Sequence, residues 1–299
     1  MFKLYGEGKF KEALAVTERL AADFPEQAAS TDLWRICLLS VSGNTAGALA
    51  AMQKSLAAGM WWSEAQLRGD SDLAALQGDP EFERMASLCK ERHATAQAGA
   101  KAGLLVRAPD GKGPHPLLIA LHGRGSRPDQ DLDHWEPVVV QGWLLALPQS
   151  SQLGFPDRYA WDDSQKAVAE IAGHFETLVK RYDVDADRVI LGGFSQGAAL
   201  AIQMALRNDL PARGFLCVAP GRSAAENLEP LAEVAARRGL RGYLVAGGHD
   251  PRFEGFKGIH DVLLKHGLPC MLEDHPDIGH EFPPDFAKSL ENALAFLLA

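Results

Sequence analysis

Five residues, Gly193-Phe194-Ser195-Gln196-Gly197, separate the apolar run Val189-Ile190-Leu191 from the helix-forming run Ala198-Ala199-Leu200-Ala201-Ile202. The first run reads as a short buried strand and the second as the start of a helix. A chain that passes from strand to helix in so little space turns sharply, and a side chain on either flank of the turn collides with the adjoining element. Gly193 and Gly197 meet that demand, and the turn projects the Ser195 hydroxyl above the sheet.

A serine hydroxyl is a weak nucleophile and needs a base to take its proton, with a carboxylate to orient that base. Downstream, the strand-like Tyr243-Leu244-Val245-Ala246 runs into Gly247-Gly248-His249-Asp250-Pro251, which places Asp250 on a loop just past a strand end. After the apolar run Cys270-Met271-Leu272-Glu273, the loop Pro276-Asp277-Ile278-Gly279-His280 presents His280 shortly before the last helical pattern. Asp250 is the expected acid and His280 the expected base, with Asp274 and Asp277 as rival acids. Among the ten histidines, His93, His115 and His134 are expected to face solvent, and His174, His260 and His266 lie on or beside helical patterns. His249 and His275 flank the candidate loops and are read as supporting groups. A reacting carbonyl also needs donors for its developing oxyanion. His122-Gly123-Arg124-Gly125 follows the apolar strand Leu117–Leu121 and can bring one backbone N–H to the serine. The N–H of Gln196, directly after the serine, is the second expected donor.

The chain has two grammars. Residues 1–97 are rich in Ala and Leu at helical spacing, whereas residues 98–299 alternate short strand-like runs with helical patterns. The small-residue stretch from Thr95 to Lys101 marks the boundary. In the second part, strands are expected at 103–107, 117–121, 143–147, 189–191, 214–218, 243–245 and 270–273. Helices are expected at 165–181, 196–207, 228–238, 256–265 and 286–298. Such alternation predicts an α/β domain with a mostly parallel sheet covered on both faces, its site at the carboxyl ends of the strands. In the first part, Gly8-x-Phe10-x-x-Ala13-Leu14 recurs as Gly43-x-Thr45-x-x-Ala48-Leu49, and Pro25 falls where a second helix would end. The 35-residue offset resembles the period of tetratricopeptide-type helical repeats, although Thr45 replaces the aromatic.

A net charge of -9 argues against nucleic acid as the main partner, since phosphate binding needs clustered Lys and Arg. No stretch has the uninterrupted apolar length of a membrane span, and the first residues lack the apolar core and cleavage site of a secretion signal. Four scattered cysteines, Cys37, Cys89, Cys217 and Cys270, without a Cys-x-x-Cys pair, suit reduced buried thiols rather than a disulfide framework or zinc site. A cytoplasmic location is the expectation.

Taken together, Leu121-His122-Gly123-x-Gly125, Gly193-Phe194-Ser195-Gln196-Gly197-Ala198, Asp250-Pro251 and Gly279-His280 resemble the phospholipase/carboxylesterase branch of the α/β-hydrolases, which includes acyl-protein thioesterases. The resemblance covers roughly residues 101–299. It implies an α/β-hydrolase fold after an all-α, repeat-like region, a Ser195–Asp250–His280 triad, oxyanion donors at Arg124 and Gln196, and Trp161 near an acyl pocket. The implied reaction is cleavage of a small ester or thioester through an acyl-enzyme, with no cofactor and no metal. Two other readings stay open: a short-peptide serine peptidase of the same fold, or an interaction protein whose residues 1–97 bind a peptide or a second copy. The chain departs from the family at Arg252-Phe253, where small apolar residues are usual, and in its helical first part.

Overall fold

A computed structural model describes residues 1–299, the side chain of Glu26 excepted, and they separate into two compact units. The first comprises Met1–Lys101 together with Ser151–Tyr159. Its helices are α1 (Phe2–Gly6), α2 (Phe10–Asp23), α3 (Ala28–Val41), α4 (Thr45–Ala57), α5 (Glu64–Gly69) and α6 (Pro80–Gln97). Local chemistry sets their ends. The Asn44 side chain accepts from the Gly47 N–H at the start of α4, and Asp79 accepts from the Glu81 and Phe82 N–H groups ahead of α6, with Pro80 in the first turn. Gly8 and Gly43, the glycines of the recurring sequence pattern, take φ of +70° and +82°. Only glycine holds that left-handed turn without strain. Ala13 and Ala48, five residues after each, are fully buried, so small side chains stand at equivalent positions of α2 and α4. The core of this unit gathers Met52, Trp62, Leu67, Leu73, Leu76, Phe82 and Met85.

A two-stranded hairpin, β4 (Gln152–Phe155) and β5 (Arg158–Ala160), packs with this helical core. Leu153 and Phe155 are buried in the same apolar cluster as Trp62 and Phe82. The Gln97 side chain donates to the Ser151 carbonyl at 2.6 Å and accepts from the Leu153 N–H at 2.9 Å, and the Ser63 N–H donates to the Gly154 carbonyl at 2.6 Å. These bonds satisfy main-chain groups that would otherwise be buried unpaired.

The second unit, Ala102–Ser150 and Ala160–Ala299, is built on a seven-stranded sheet. Its strands are β1 (Gly103–Arg107), β2 (His115–Leu121), β3 (Leu144–Gln149), β6 (Val184–Phe194), β7 (Gly214–Val218), β8 (Arg241–Gly247) and β9 (Cys270–His275), in spatial order β1-β3-β2-β6-β7-β8-β9. Only β1, on the edge, is antiparallel to its neighbour. The helices are α7 (Pro128–Trp135), α8 (Ser164–Arg181), α9 (Ser195–Arg207), α10 (Leu228–Arg237), α11 (Phe253–Lys265) and α12 (Phe286–Leu298). Strand residues alternate between two apolar layers: Leu117, Ile119 and Leu121 of β2 join one cluster, while Leu118 and Ala120 join the other. Burial on both faces explains why these strands read as continuous apolar runs. This is the mostly parallel α/β-hydrolase architecture that the sequence predicts, with a helical first part. The hairpin at 152–160 and helix α7 were not foreseen.

Candidate active site

The register across the sheet brings three loops to one end. Leu121 of β2 pairs with Gly193 of β6, so the chain that leaves β2 starts beside the turn that leaves β6. At that turn Ser195 adopts φ +52°, a left-handed conformation that costs a non-glycine residue of order 1–3 kcal/mol. The strain is held by its surroundings. A Cβ on Gly193 would stand 2.8 Å from both the Ala198 nitrogen and the Leu121 carbonyl oxygen, and one on Gly197 would run into the Leu121 and His122 carbonyls. The Ser195 carbonyl accepts from the Gly221 N–H at 2.8 Å.

Beyond β8 and β9, the main chain stitches two further loops together. The Gly248 N–H donates to the His275 carbonyl and the His249 N–H to the Ile278 carbonyl, both at 2.9 Å. These bonds set Asp250 and His280 face to face. His280 Nδ1 lies 2.6 Å from Asp250 Oδ2, and His280 Nε2 lies 2.9 Å from Ser195 Oγ. Ionised carboxylates only accept, so Nδ1 carries the ring proton and Nε2 is left to accept the serine proton. Asp250 also accepts from the Arg252 N–H at 2.9 Å. Burial works to raise its pKa, but the His280 bond, the Arg252 N–H and the adjacent charges win, and the carboxyl lies below its usual range. Burial, helped by the Arg252 charge, lowers the His280 pKa against the opposing pull of Asp250.

On the other side of the serine, the loop after β2 runs over the turn. A Cβ on Gly123 would meet Phe194 Cδ1 at 2.9 Å and Ser195 Cβ at 3.6 Å. His122 is fully buried; its Nδ1 lies 2.8 Å from the Gly123 carbonyl and its Nε2 accepts from the Ser150 N–H at 3.3 Å. Burial pushes its pKa down to about 4, so it is a neutral structural group. Trp161 stacks on the His122 ring at 4.7 Å and donates its indole N–H to the His122 carbonyl at 2.9 Å. The side chains of Arg124 and Gln196 both reach Asp162: Arg124 as a two-pronged ion pair, Gln196 Nε2 at 2.9 Å. The Gln196 N–H lies in the first turn of α9, where backbone donors have no partner within the helix.

Asp274 and Asp277, the rival acids, are exposed, whereas Asp250 is 4% exposed and hydrogen-bonded to the imidazole. His275 lies 2.7 Å from Glu273, and His249 contributes its main chain. His134, expected to face solvent, instead stacks on Phe282 at 4.0 Å. Three residues that bond to the loops of this site were assigned no role in the sequence reading. Asp162 stood only beside Trp161, and Arg252 was visible only as a departure from the family pattern. Asp131 on α7, which accepts from Ser126 Oγ at 3.3 Å beneath the β2 loop, carried no signal in its spacing. Among the described residues, Cys37, Asp70 and Asp72 are the grouping with metal-ligand proximity, but Asp72 already accepts from the Tyr5 hydroxyl and Asp70 from Gln66 and the Asp72 N–H.

Residues 155–297 match the family described as phospholipase/carboxylesterase, and residues 1–97 match a domain described as A/B hydrolase-like, N-terminal. An uncharacterized protein from Bacillus cereus ATCC 10987, of known crystal structure, is 28% identical and aligns over 98% of both chains with a TM-score of 0.59. The Bacillus cereus carboxylesterase aligns over 69% of this chain and 99% of its own at 17% identity and a TM-score of 0.53, a likeness of fold. A curated relative, the bifunctional acetylxylan esterase/xylanase XynS20E of Neocallimastix patriciarum, is 31% identical over 106 residues. That stretch is 34% of this chain and spans 15% of that relative's length. Among the described residues, no helix is long and apolar enough to cross a membrane.

Proposed function

We propose, from the premise that residues 155–297 belong to the phospholipase/carboxylesterase family, that this protein is a serine hydrolase cleaving small carboxylic esters through an acyl-enzyme. The observation that carries the reading is the continuous chain from Ser195 Oγ through His280 to the buried Asp250, at 2.9 and 2.6 Å. In the first step Ser195 Oγ attacks the carbonyl carbon while His280 Nε2 takes its proton. Asp250 holds the imidazole in the required tautomer and stabilises the imidazolium. The backbone N–H groups of Arg124 and Gln196 hold the oxyanion. As the tetrahedral intermediate collapses, the proton passes from His280 to the leaving group. A water deprotonated by His280 then attacks the acyl carbon, and collapse of this second intermediate breaks the acyl–Oγ bond as His280 returns the proton to Ser195 Oγ and the carboxylic acid leaves. The chemistry needs no metal or cofactor.

Residues 1–97 are proposed as a tetratricopeptide-like helical domain and residues 98–299 as the catalytic domain, with 151–159 lent to the helical unit. That domain is offered as a place for a peptide partner or a second copy. Trp161 is assigned to the wall behind the acyl site. Four buried, unpaired cysteines favour a reducing, cytoplasmic setting. Thioesters are the second substrate class, because the same acyl-enzyme forms whether an alcohol or a thiol departs.

The test is turnover of p-nitrophenyl esters and acyl thioesters of graded chain length by the wild type and by Ser195→Ala. We expect ester turnover by the wild type and a loss of at least about 10³-fold in the variant. Equal rates in the two proteins would overturn the assignment, and a clear preference for thioesters or short peptide amides would replace the substrate class.

A further inference from the structure

The two oxyanion donors come from separate elements, Arg124 from the loop after β2 and Gln196 from the first turn of α9. Their N–H groups serve one oxygen only if loop and helix keep a fixed spacing, within roughly 0.5 Å of the productive geometry. Main-chain pairing between β2 and β6 ends at Leu121 and Gly193, before either donor is reached.

We infer that Asp162 is the positioning residue that locks the two donors in register. Its carboxylate receives both side chains. Arg124 Nη1 donates to Oδ2 at 3.2 Å and Nη2 to Oδ1, a two-pronged geometry, and Gln196 Nε2 donates to Oδ1 at 2.9 Å. The other end of the Gln196 amide is read by the same segment, because Gln196 Oε1 accepts from the Trp161 N–H at 2.9 Å. The Trp161 indole in turn donates to the His122 carbonyl, two residues before Arg124. Residues 161 and 162 therefore tie the β2 loop by two links and the α9 turn by two links, and each bond is anchored in a neighbour held by another. The arrangement explains why a glutamine follows the serine. Its backbone faces the substrate while its side chain is consumed by the clamp.

The physical weight of the clamp falls on geometry rather than on stability. The Arg124 and Asp162 side chains are about a third and a fifth exposed, and pairs so accessible contribute little to folding. Losing one aligned oxyanion donor costs about 10² to 10³ in rate. Loosening two donors without removing either is expected to cost about 10- to 100-fold.

This inference rests on the proposed esterase reading, and the experiment separates the two. Wild type, Ser195→Ala, Asp162→Ala, Asp162→Asn, Arg124→Met and the Asp162→Ala/Arg124→Met double variant are assayed on p-nitrophenyl butyrate, with thermal melts on each. Inhibition by an alkyl boronic acid, a tetrahedral transition-state mimic, is measured alongside. We expect Asp162→Ala to lower kcat about 10- to 100-fold with KM changed less than about threefold. Boronate affinity should fall in step with kcat/KM and Tm should change little. The double variant should be no worse than Asp162→Ala, because both substitutions open the same clamp. The near-isosteric Asp162→Asn keeps an acceptor and should retain more activity than Asp162→Ala. Wild-type and Ser195→Ala proteins of equal activity would sink the esterase reading itself. An active wild type whose Asp162→Ala variant keeps kcat within twofold, or loses KM rather than kcat, would overturn the role of Asp162 alone, as would strictly multiplicative losses in the double variant.

Discussion

The Arg252 guanidinium lies against the His280 imidazole, with Nη2 2.6 Å from Nδ1 and 2.9 Å from Nε2. Its Nε is 3.4 Å from Asp250 Oδ1, so one fixed positive charge bears on both partners of Ser195. At this position the sequence departs from the small apolar residues usual in the family it resembles. The charge opposes protonation of the ring, acting in the same direction as burial and against Asp250 and Glu281.

The pH profile should record this balance. In the proposed mechanism His280 acts as a base only when neutral, so activity should fall as pH drops through its pKa. Because that pKa is lowered, the acid limb of kcat/KM should lie below the ordinary histidine value of 6.5 rather than at it. In Arg252→Met the charge is gone while Asp250 remains, and the limb should move to higher pH. Profiles of kcat/KM from pH 4 to 9 on both proteins decide the point. Coincident acid limbs would show that Arg252 does not act on the base.

What the sequence revealed and what it hid follow from the range of the interactions involved. Ser195 and Asp250 stand where an apolar strand run breaks at glycines, and His280 follows Gly279 in the loop after the next apolar run, signals contained in a few neighbouring residues. The expected strands and helices of the α/β part all form, most within two or three residues of their expected bounds and β6 starting five residues earlier, for the same reason. The hairpin at 152–160 carries no alternation of its own and is buried by Gln97, Ser63 and the Trp62 cluster, all more than 50 residues away. Asp162 and Arg252 acquire their importance only where loops from different strands converge. Composition and spacing do not register such convergence.

A second prediction concerns Asp131, whose carboxyl is buried beneath the β2 loop with Oδ2 lacking a hydrogen-bond partner. Burial, resisted by bonds from Ser126 and the Gly123 N–H, pushes its pKa from 3.8 up to about 7. Between those values the folded protein holds a proton that the unfolded chain releases. Stability is therefore complete at the acid end of the window and falls as pH rises toward 7, by up to about 1.4 kcal/mol per unit. Asp131→Asn carries no charge at any pH. Its Tm should exceed that of the wild type at pH 8 and approach it near pH 4. A Tm difference independent of pH would exclude the carboxyl as the cause.

Removing the helical part at the boundary read from sequence should not yield a clean catalytic domain. A fragment of residues 98–299 keeps the hairpin but loses its surroundings: the Ser63 N–H bonded to Gly154, the Gln97 amide that pairs Ser151 and Leu153, and the core that covers Leu153 and Phe155. Each of those two apolar side chains gains roughly 1.5–3 kcal/mol from burial, and in the fragment both face water beside unpaired main-chain groups. The fragment is expected to bind a hydrophobic dye and to aggregate on concentration. Gln97→Ala in the full chain isolates the polar contribution and should lower Tm by several degrees, since it strips partners from two main-chain groups at once. Light scattering, dye fluorescence and melts on the fragment and on Gln97→Ala provide the check. A monodisperse fragment with wild-type melting behaviour would show that residues 151–159 hold their fold without the helices.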